Sequence, residues 1–193
     1  MKRCLILSDS FKGTLSSPDI CRIARSLHIS GWHIDALPVA DGGEGTTDCF
    51  LDACGGQRIA LPVSGPFGGT IDGFYGLLPD GTAVVEMAAA AGLPLVGEHR
   101  NAERTTTYGV GELICHAARH GAQRIVLALG GSATNDAGTG MLSALGVRFL
   151  DSSGQRLKGC GRDLESIARI DMSSLMPAAR ESEFIVACDV NTP

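Results

Sequence analysis

Lys12, in the stretch Ser8-Asp9-Ser10-Phe11-Lys12-Gly13, is the only basic side chain in four loops that each follow a strand-like segment. The other three are Asp41-Gly42-Gly43-Glu44-Gly45-Thr46, Gly130-Gly131-Ser132-Ala133-Thr134-Asn135-Asp136 and Cys188-Asp189-Val190-Asn191. A single ammonium in such loops suits a phosphoryl or carboxylate group. Asp9, Asp41, Asp136 and Asp189 are the matching carboxylates, of which one or two could hold Mg²⁺ or accept the proton of an attacking hydroxyl. Gly42, Gly43, Gly130 and Gly131 permit close backbone approach and positive φ, so their amides can face anion oxygens near a helix N-terminus. Plainer readings stand beside these: a solvated lysine, an ordinary glycine turn, an Asp that caps a helix. For Asp136, where a helix begins, capping is the first expectation.

Other motifs fail. No G-x-x-x-x-G-K-[ST] occurs, and Gly138-Thr139-Gly140 lacks the third glycine of a dinucleotide fingerprint. The stretch around Ser132 approaches the G-x-S-x-G elbow of α/β hydrolases but has Thr134 in place of the last glycine, and no His follows His120. A hydrolase stays open as a different class. Glu86 reads as an exposed strand residue, Thr105 to Thr107 as a cap for the next helix, and the five histidines show no ligand spacing.

The elements that must position these loops alternate. Residues 3–7 form a short apolar run. Ser17 can then cap a helix with Pro18 at its first position, and Ile20, Ile23, Ala24 and Leu27 share one face. Residues 33–40 and 125–129 read as further strands, and 47–54, 108–120 and 141–145 as helices, the second with Val110, Leu113, Ile114, Ala117 and Ala118 on one face. Strands separated by helices argue for an α/β fold with a Rossmann-like parallel sheet, whose carboxyl edge gathers loops into one crevice. Residues 57–100 read differently, as turn-linked strands around Ser64-Gly65-Pro66-Phe67-Gly68-Gly69 and Pro79-Asp80-Gly81. The expected organisation is therefore a Rossmann-like domain from 1–56 and 101–146, an inserted β-rich second lobe from 57–100, and further second-domain or cleft elements from 147–193.

Composition narrows the partners. With 193 residues the chain could bury roughly 70% of its unfolded surface, enough for a sizeable core. The net charge of −5, the absence of a Lys/Arg run and 5% aromatic content argue against nucleic acid. No apolar run approaches the length of a membrane span, so a soluble cytoplasmic protein is expected. Seven cysteines without a C-x-x-C pair read as small core hydrophobes.

The strings DSFKGTLSS, PVADGGEGT, SGPFGG, VVEMAAAAGLPLV, TTTYGVGELI, GGSATNDAGTGMLSALGVRFLD and VACDV, in that order, closely resemble the class I glycerate kinases. The resemblance implies ATP and Mg²⁺ as cofactors, D-glycerate as the small-molecule substrate, phosphorylation favoured at O2, and a cleft between two α/β domains. Within the matching motifs, Lys12, Asp41 and Asp189 are the expected catalytic residues. Asp9, Ser10, Gly42, Gly43, Glu44, Thr106, Gly130, Gly131, Ser132 and Asn135 are the expected substrate or phosphate contacts, and Asp136 and Asp189 the expected metal ligands. Two departures from the family pattern are Ser8 where proline is usual and a shorter segment between Ser17 and Val39. Family members also continue past the CDV segment, and an apolar run followed by Asp189 to Pro193 reads as the lead into another element. The expectation is an N-terminal half with an incomplete site, little activity alone, and as partner a second copy or a separate C-terminal half of a split enzyme.

Overall fold

The computed structural model describes residues 1–188. Asp189, Val190 and Asn191, and with them one expected catalytic and metal-binding carboxylate, lie outside the described residues.

The first unit is β1 (Lys2–Ser8), α1 (Ser17–Arg25) and β2 (Trp32–Pro38), with β2 parallel to β1 in register Lys2↔Trp32 through Ser8↔Pro38. A right-handed crossover through a helix is the usual way to join two parallel strands. Ser16, rather than the expected Ser17, caps α1, accepting from the Asp19 amide at 3.2 Å. Ser17 is buried instead: its hydroxyl donates to the Ser8 carbonyl and accepts from the Val39 amide, tying the helix to the ends of both strands. Cys21 and Ala24 pack on Ala36 and Ile6, while Leu5, Leu7 and Leu37 on the strands' other side stay exposed.

After α2 (Thr46–Cys54) come β3 (Gln57–Ser64), β4 (Thr70–Leu77), β5 (Thr82–Glu86) and α3 (Ala88–Ala91). The chain continues through α4 (Tyr108–Arg119), β6 (Arg124–Ala128), α5 (Thr139–Ala144), β7 (Arg148–Leu150), β8 (Arg169–Asp171), α6 (Pro177–Glu181) and β9 (Glu183–Ala187). One mixed sheet of five strands runs in the order β3-β4-β5-β6-β9, antiparallel from β3 to β5 and parallel from β5 to β9. Strands β7 and β8 form a separate antiparallel pair.

The α/β class holds, but the division into lobes does not. Residues 57–100 supply three strands of the main sheet, and β5 lies parallel beside β6. Every residue of β5 is buried, as a strand covered on both faces requires. The turn-linked pattern that suggested a lobe belongs to the antiparallel β3–β4 edge of this sheet. Conversely β1 and β2, expected to share the β6 sheet, pair only with each other among the described residues.

Helix α4 covers one face with the stripe read from the sequence: Val110, Leu113, Ile114 and Ala117 pack against Tyr75, Ala83, Val85, Ile125 and Leu127. Phe50 and Leu51 of α2 reach Leu78, Val84 and Val126 on the other face. Burying a side chain of this size contributes about 1.5–3 kcal/mol, so this double-sided layer is the rigid support for the loops at the strand ends.

Candidate active site

Three of the loops singled out in the sequence follow the carboxyl ends of β1, β2 and β6, and Glu86 ends β5. In the first loop the Asp9 carboxylate accepts from the Ser10 amide at 2.6 Å, and Phe11 and Leu15 close a small turn around Lys12. Lys12 Nζ lies 3.9 Å from Asp41 Oδ2, with its side chain 75% exposed. An ion pair this long and this wet contributes little, so the ammonium is free to exchange Asp41 for an incoming anion. Asp41 is held from behind, its Oδ1 accepting from the Gly43 amide at 2.9 Å.

The glycines of the second and third loops do something other than expected. The Gly130 amide donates to the Gly42 carbonyl at 2.9 Å, and a Cβ on Gly130 would stand 2.6 Å from Gly43 Cα. Gly42 has φ +89° and would place a Cβ 2.9 Å from the Ala187 carbonyl oxygen. These residues form the seam where the β2–α2 loop meets the ends of β6 and β9. With their amides bonded inside the protein, Gly43 and Gly130 are not phosphate donors in this arrangement.

Asp136 takes the capping role first expected of it. Its buried carboxylate accepts from Thr107 N at 2.7 Å, Thr107 Oγ1 at 2.8 Å, Gly140 N at 3.2 Å and Gly138 N at 3.0 Å. Both oxygens are engaged in joining the starts of α4 and α5, which is the capping role rather than a metal site. Among the described residues no group of three or more His, Cys, Asp or Glu is placed to hold a metal ion.

A cleft of about 460 Å³ opens between the first two loops and the β4–β5 side of the sheet. Asp9, Ser10, Lys12 and Glu44 line it as the sequence suggested, together with four charged residues it did not: Asp48, Arg58, Asp72 and Glu86. Glu86 is buried, not exposed, and accepts from the Thr47 amide at 2.5 Å and the Gly45 amide at 3.3 Å. Burial pushes its carboxyl above the usual range, and the α2 amides pull the other way. A charged residue closing the apolar run Ala83-Val84-Val85 was the signal for it. Arg58 stacks on the Phe74 ring at 3.5 Å and pairs with Asp48 at 2.7 Å.

The other expected contacts lie elsewhere. Ser132 and Asn135 line a smaller cavity of about 280 Å³ with Arg100 and Asn101. Among the described residues the Ser132 hydroxyl meets only the backbone of Thr134, at 3.3–3.4 Å, and no histidine is paired with it as a hydrolase would require. Thr106 donates to the Gly159 carbonyl at 2.6 Å, on the wall of a third cleft.

A mixed α/β molecule whose strand-end loops gather one lysine and several carboxylates into a cleft defines a class of small-molecule site. The glycerate kinase family model matches residues 4–193, and the chain belongs to that family. It is 46% identical over 196 residues to the glycerate kinase of Bacillus subtilis, covering 99% of this chain and 51% of that protein. It is 39% identical over 197 residues to the glycerate 2-kinase of Escherichia coli, again 99% and 51%. A crystal structure assigned as a glycerate kinase 2 of Salmonella typhimurium LT2 superposes with TM-score 0.85 at 39% identity, covering 100% of this chain and 53% of that one. The chain thus spans about half the length of the relatives it matches. Among the described residues no helix is long and apolar enough to cross a membrane.

Proposed function

We propose that the cleft between the β1–α1 and β2–α2 loops belongs to a site that phosphorylates D-glycerate, with ATP as donor, in the cytoplasm, O2 being the favoured acceptor. The observation that carries this reading is Lys12, which lines a cleft rich in carboxylates and pairs loosely with Asp41. Family membership and the names of the relatives support the substrate and the reaction class.

Phosphoryl transfer asks a protein to position its reactants and to neutralise charge. Lys12 pairs with the carboxylate of glycerate or with a transferring phosphoryl oxygen, displacing Asp41. Released from Lys12 but still fixed by the Gly43 amide, Asp41 is the base that orients and deprotonates the attacking hydroxyl. Asp189 is the second expected base or metal carboxylate, on the segment outside the described residues. Mg²⁺ fits as an ion carried mainly by phosphate oxygens and water, which needs only one or two protein carboxylates, and Asp9 and Asp41 are the described candidates. Magnesium supplies charge neutralisation on the phosphate when bound.

The same reading holds that the 193-residue chain alone turns over glycerate little or not at all. Among the described residues, Lys12 and Arg58 are the only cations in a cleft that also holds Asp9, Glu44, Asp48, Asp72 and Glu86, a poor balance for two anionic substrates. The reading is tested by incubating the chain, with and without a polypeptide matching the second half of its relatives, with ATP, Mg²⁺ and D-glycerate, and following products by ³¹P NMR. A 2-phosphoglycerate resonance that needs both polypeptides is expected. A 3-phosphoglycerate resonance would overturn the O2 assignment, and strong turnover by the chain alone would overturn the dependence on a second half.

A further inference from the structure

Another cleft, of about 620 Å³, shares no lining residue with the one around Lys12. Its walls are the 64–68 turn, the 104–108 segment and the 156–163 segment. Four of the chain's 16 lysines and arginines line it, Arg104, Arg156, Lys158 and Arg162, against one carboxylate, Asp163. None of the four makes an ion pair among the described residues, a state they share with Lys2, Arg100, Arg119, Arg169 and Arg180, but among the clefts given above only this one is lined by four such cations. In a protein of net charge −5, this is a local reversal of sign, and like charges gathered without partners repel one another.

The segment that carries three of these cations is built rather than loose. Asp163 Oδ2 accepts from the Gly159 amide at 3.0 Å and the Cys160 amide at 3.3 Å, so the one acid of the cleft folds the loop between Lys158 and Arg162. Thr106 binds the Gly159 carbonyl at 2.6 Å, and the Arg162 amide binds the Glu103 carbonyl at 2.8 Å. Gly159 has φ +81° and would bring a Cβ to 3.0 Å from Gly140 Cα; a Cβ on Gly161 would lie 2.8 Å from the Ala102 carbonyl oxygen. The backbone is therefore seated against two neighbouring segments. Ser64 and Tyr108 add hydroxyl-bearing side chains to the wall.

We propose that this cleft is a binding site for a small molecule bearing phosphoryl groups. Guanidinium forks and an ammonium lining one cleft from two segments can match several phosphate oxygens at once, and the volume is that of a small-molecule site. Two sources share this chemistry, a nucleotide's polyphosphate and a phosphate ester of a small acid. The inference stands on the geometry of the cleft and does not depend on the glycerate reading.

The test is a calorimetric titration of the chain with inorganic pyrophosphate. Saturable binding is expected, weakened as ionic strength rises and reduced at least tenfold in the double variant Lys158→Glu/Arg162→Glu. Both side chains are exposed, and circular dichroism and the unfolding midpoint of the variant should match the parent. Arg180→Glu, an exposed arginine on α6, should bind as the parent does. Displacement of pyrophosphate by ADP assigns the cleft to a nucleotide, and displacement by 2-phosphoglycerate but not by ADP assigns it to the smaller ester. Absence of pyrophosphate binding, or equal affinity in the folded double variant, overturns the inference. Loss of pyrophosphate binding in the variant while the parent shows no glycerate turnover even with the second half would keep this site and remove the glycerate reading.

Discussion

Glu86 shows how one side chain couples stability to the site. Its carboxyl is buried at the end of β5 and caps the start of α2 through the Thr47 and Gly45 amides. Because burial raises its pKa in the folded state, the folded form holds the proton more tightly than the unfolded one, where the value is near 4.5. Stability from this group is thus largest at low pH and falls as pH rises from about 4.5 through the higher folded value. Glu86→Gln keeps an acceptor for the amides and removes the charge, so its unfolding midpoint should lose this component of pH dependence. Glu86→Ala leaves buried N–H groups unpaired and should lose about 1–3 kcal/mol. Urea unfolding of both variants between pH 4.5 and 8 checks this; identical pH slopes in parent and Gln variant would remove Glu86 as the source. Asp136 makes the opposite lesson for reading sequences. A carboxylate in a Gly-rich loop looks the same on paper whether it faces a ligand or closes four internal hydrogen bonds, and only the positions of Thr107 and Gly140 decide.

Among the elements, those with a strong local period were legible and those defined by long-range pairing were not. The α4 stripe, the β1-α1-β2 unit and the apolar run of β6 follow from spacing and capping residues within a few positions of each other. Whether β5 joins β6 depends on residues about forty positions apart, and a turn-linked hairpin such as β3–β4 looks the same at the edge of a mixed sheet as in a separate lobe. The loops were legible as a group, since a parallel sheet brings strand ends together, but not their internal wiring. The Gly42–Gly130 seam is the clearest case, because close packing and anion binding both call for glycine. Gly130→Ala should therefore act on stability: its Cβ would meet Gly43 backbone atoms at 2.6 and 2.8 Å, an overpacking cost of about 1–3 kcal/mol. A shift of the urea midpoint without ligand is expected. An unchanged midpoint together with weakened nucleotide binding would restore the phosphate-donor role.

For the molecule as a whole, exposed apolar residues concentrate on the side of β1 and β2 away from α1 and along β9. Leu5, Leu7 and Leu37 lie on the first, and Phe184, Ile185 and Val186 on the second. Strand faces and edges of this kind favour association. Lys12 is the proposed cation of the transfer step. The most direct measurement is the rate of glycerate-dependent ADP release with Mg²⁺ by the chain combined with the second-half polypeptide, comparing the parent with a folded Lys12→Ala variant. A fall of at least tenfold, about 1.4 kcal/mol of transition-state stabilisation, is predicted. A Lys12→Ala rate equal to the parent's would contradict the account.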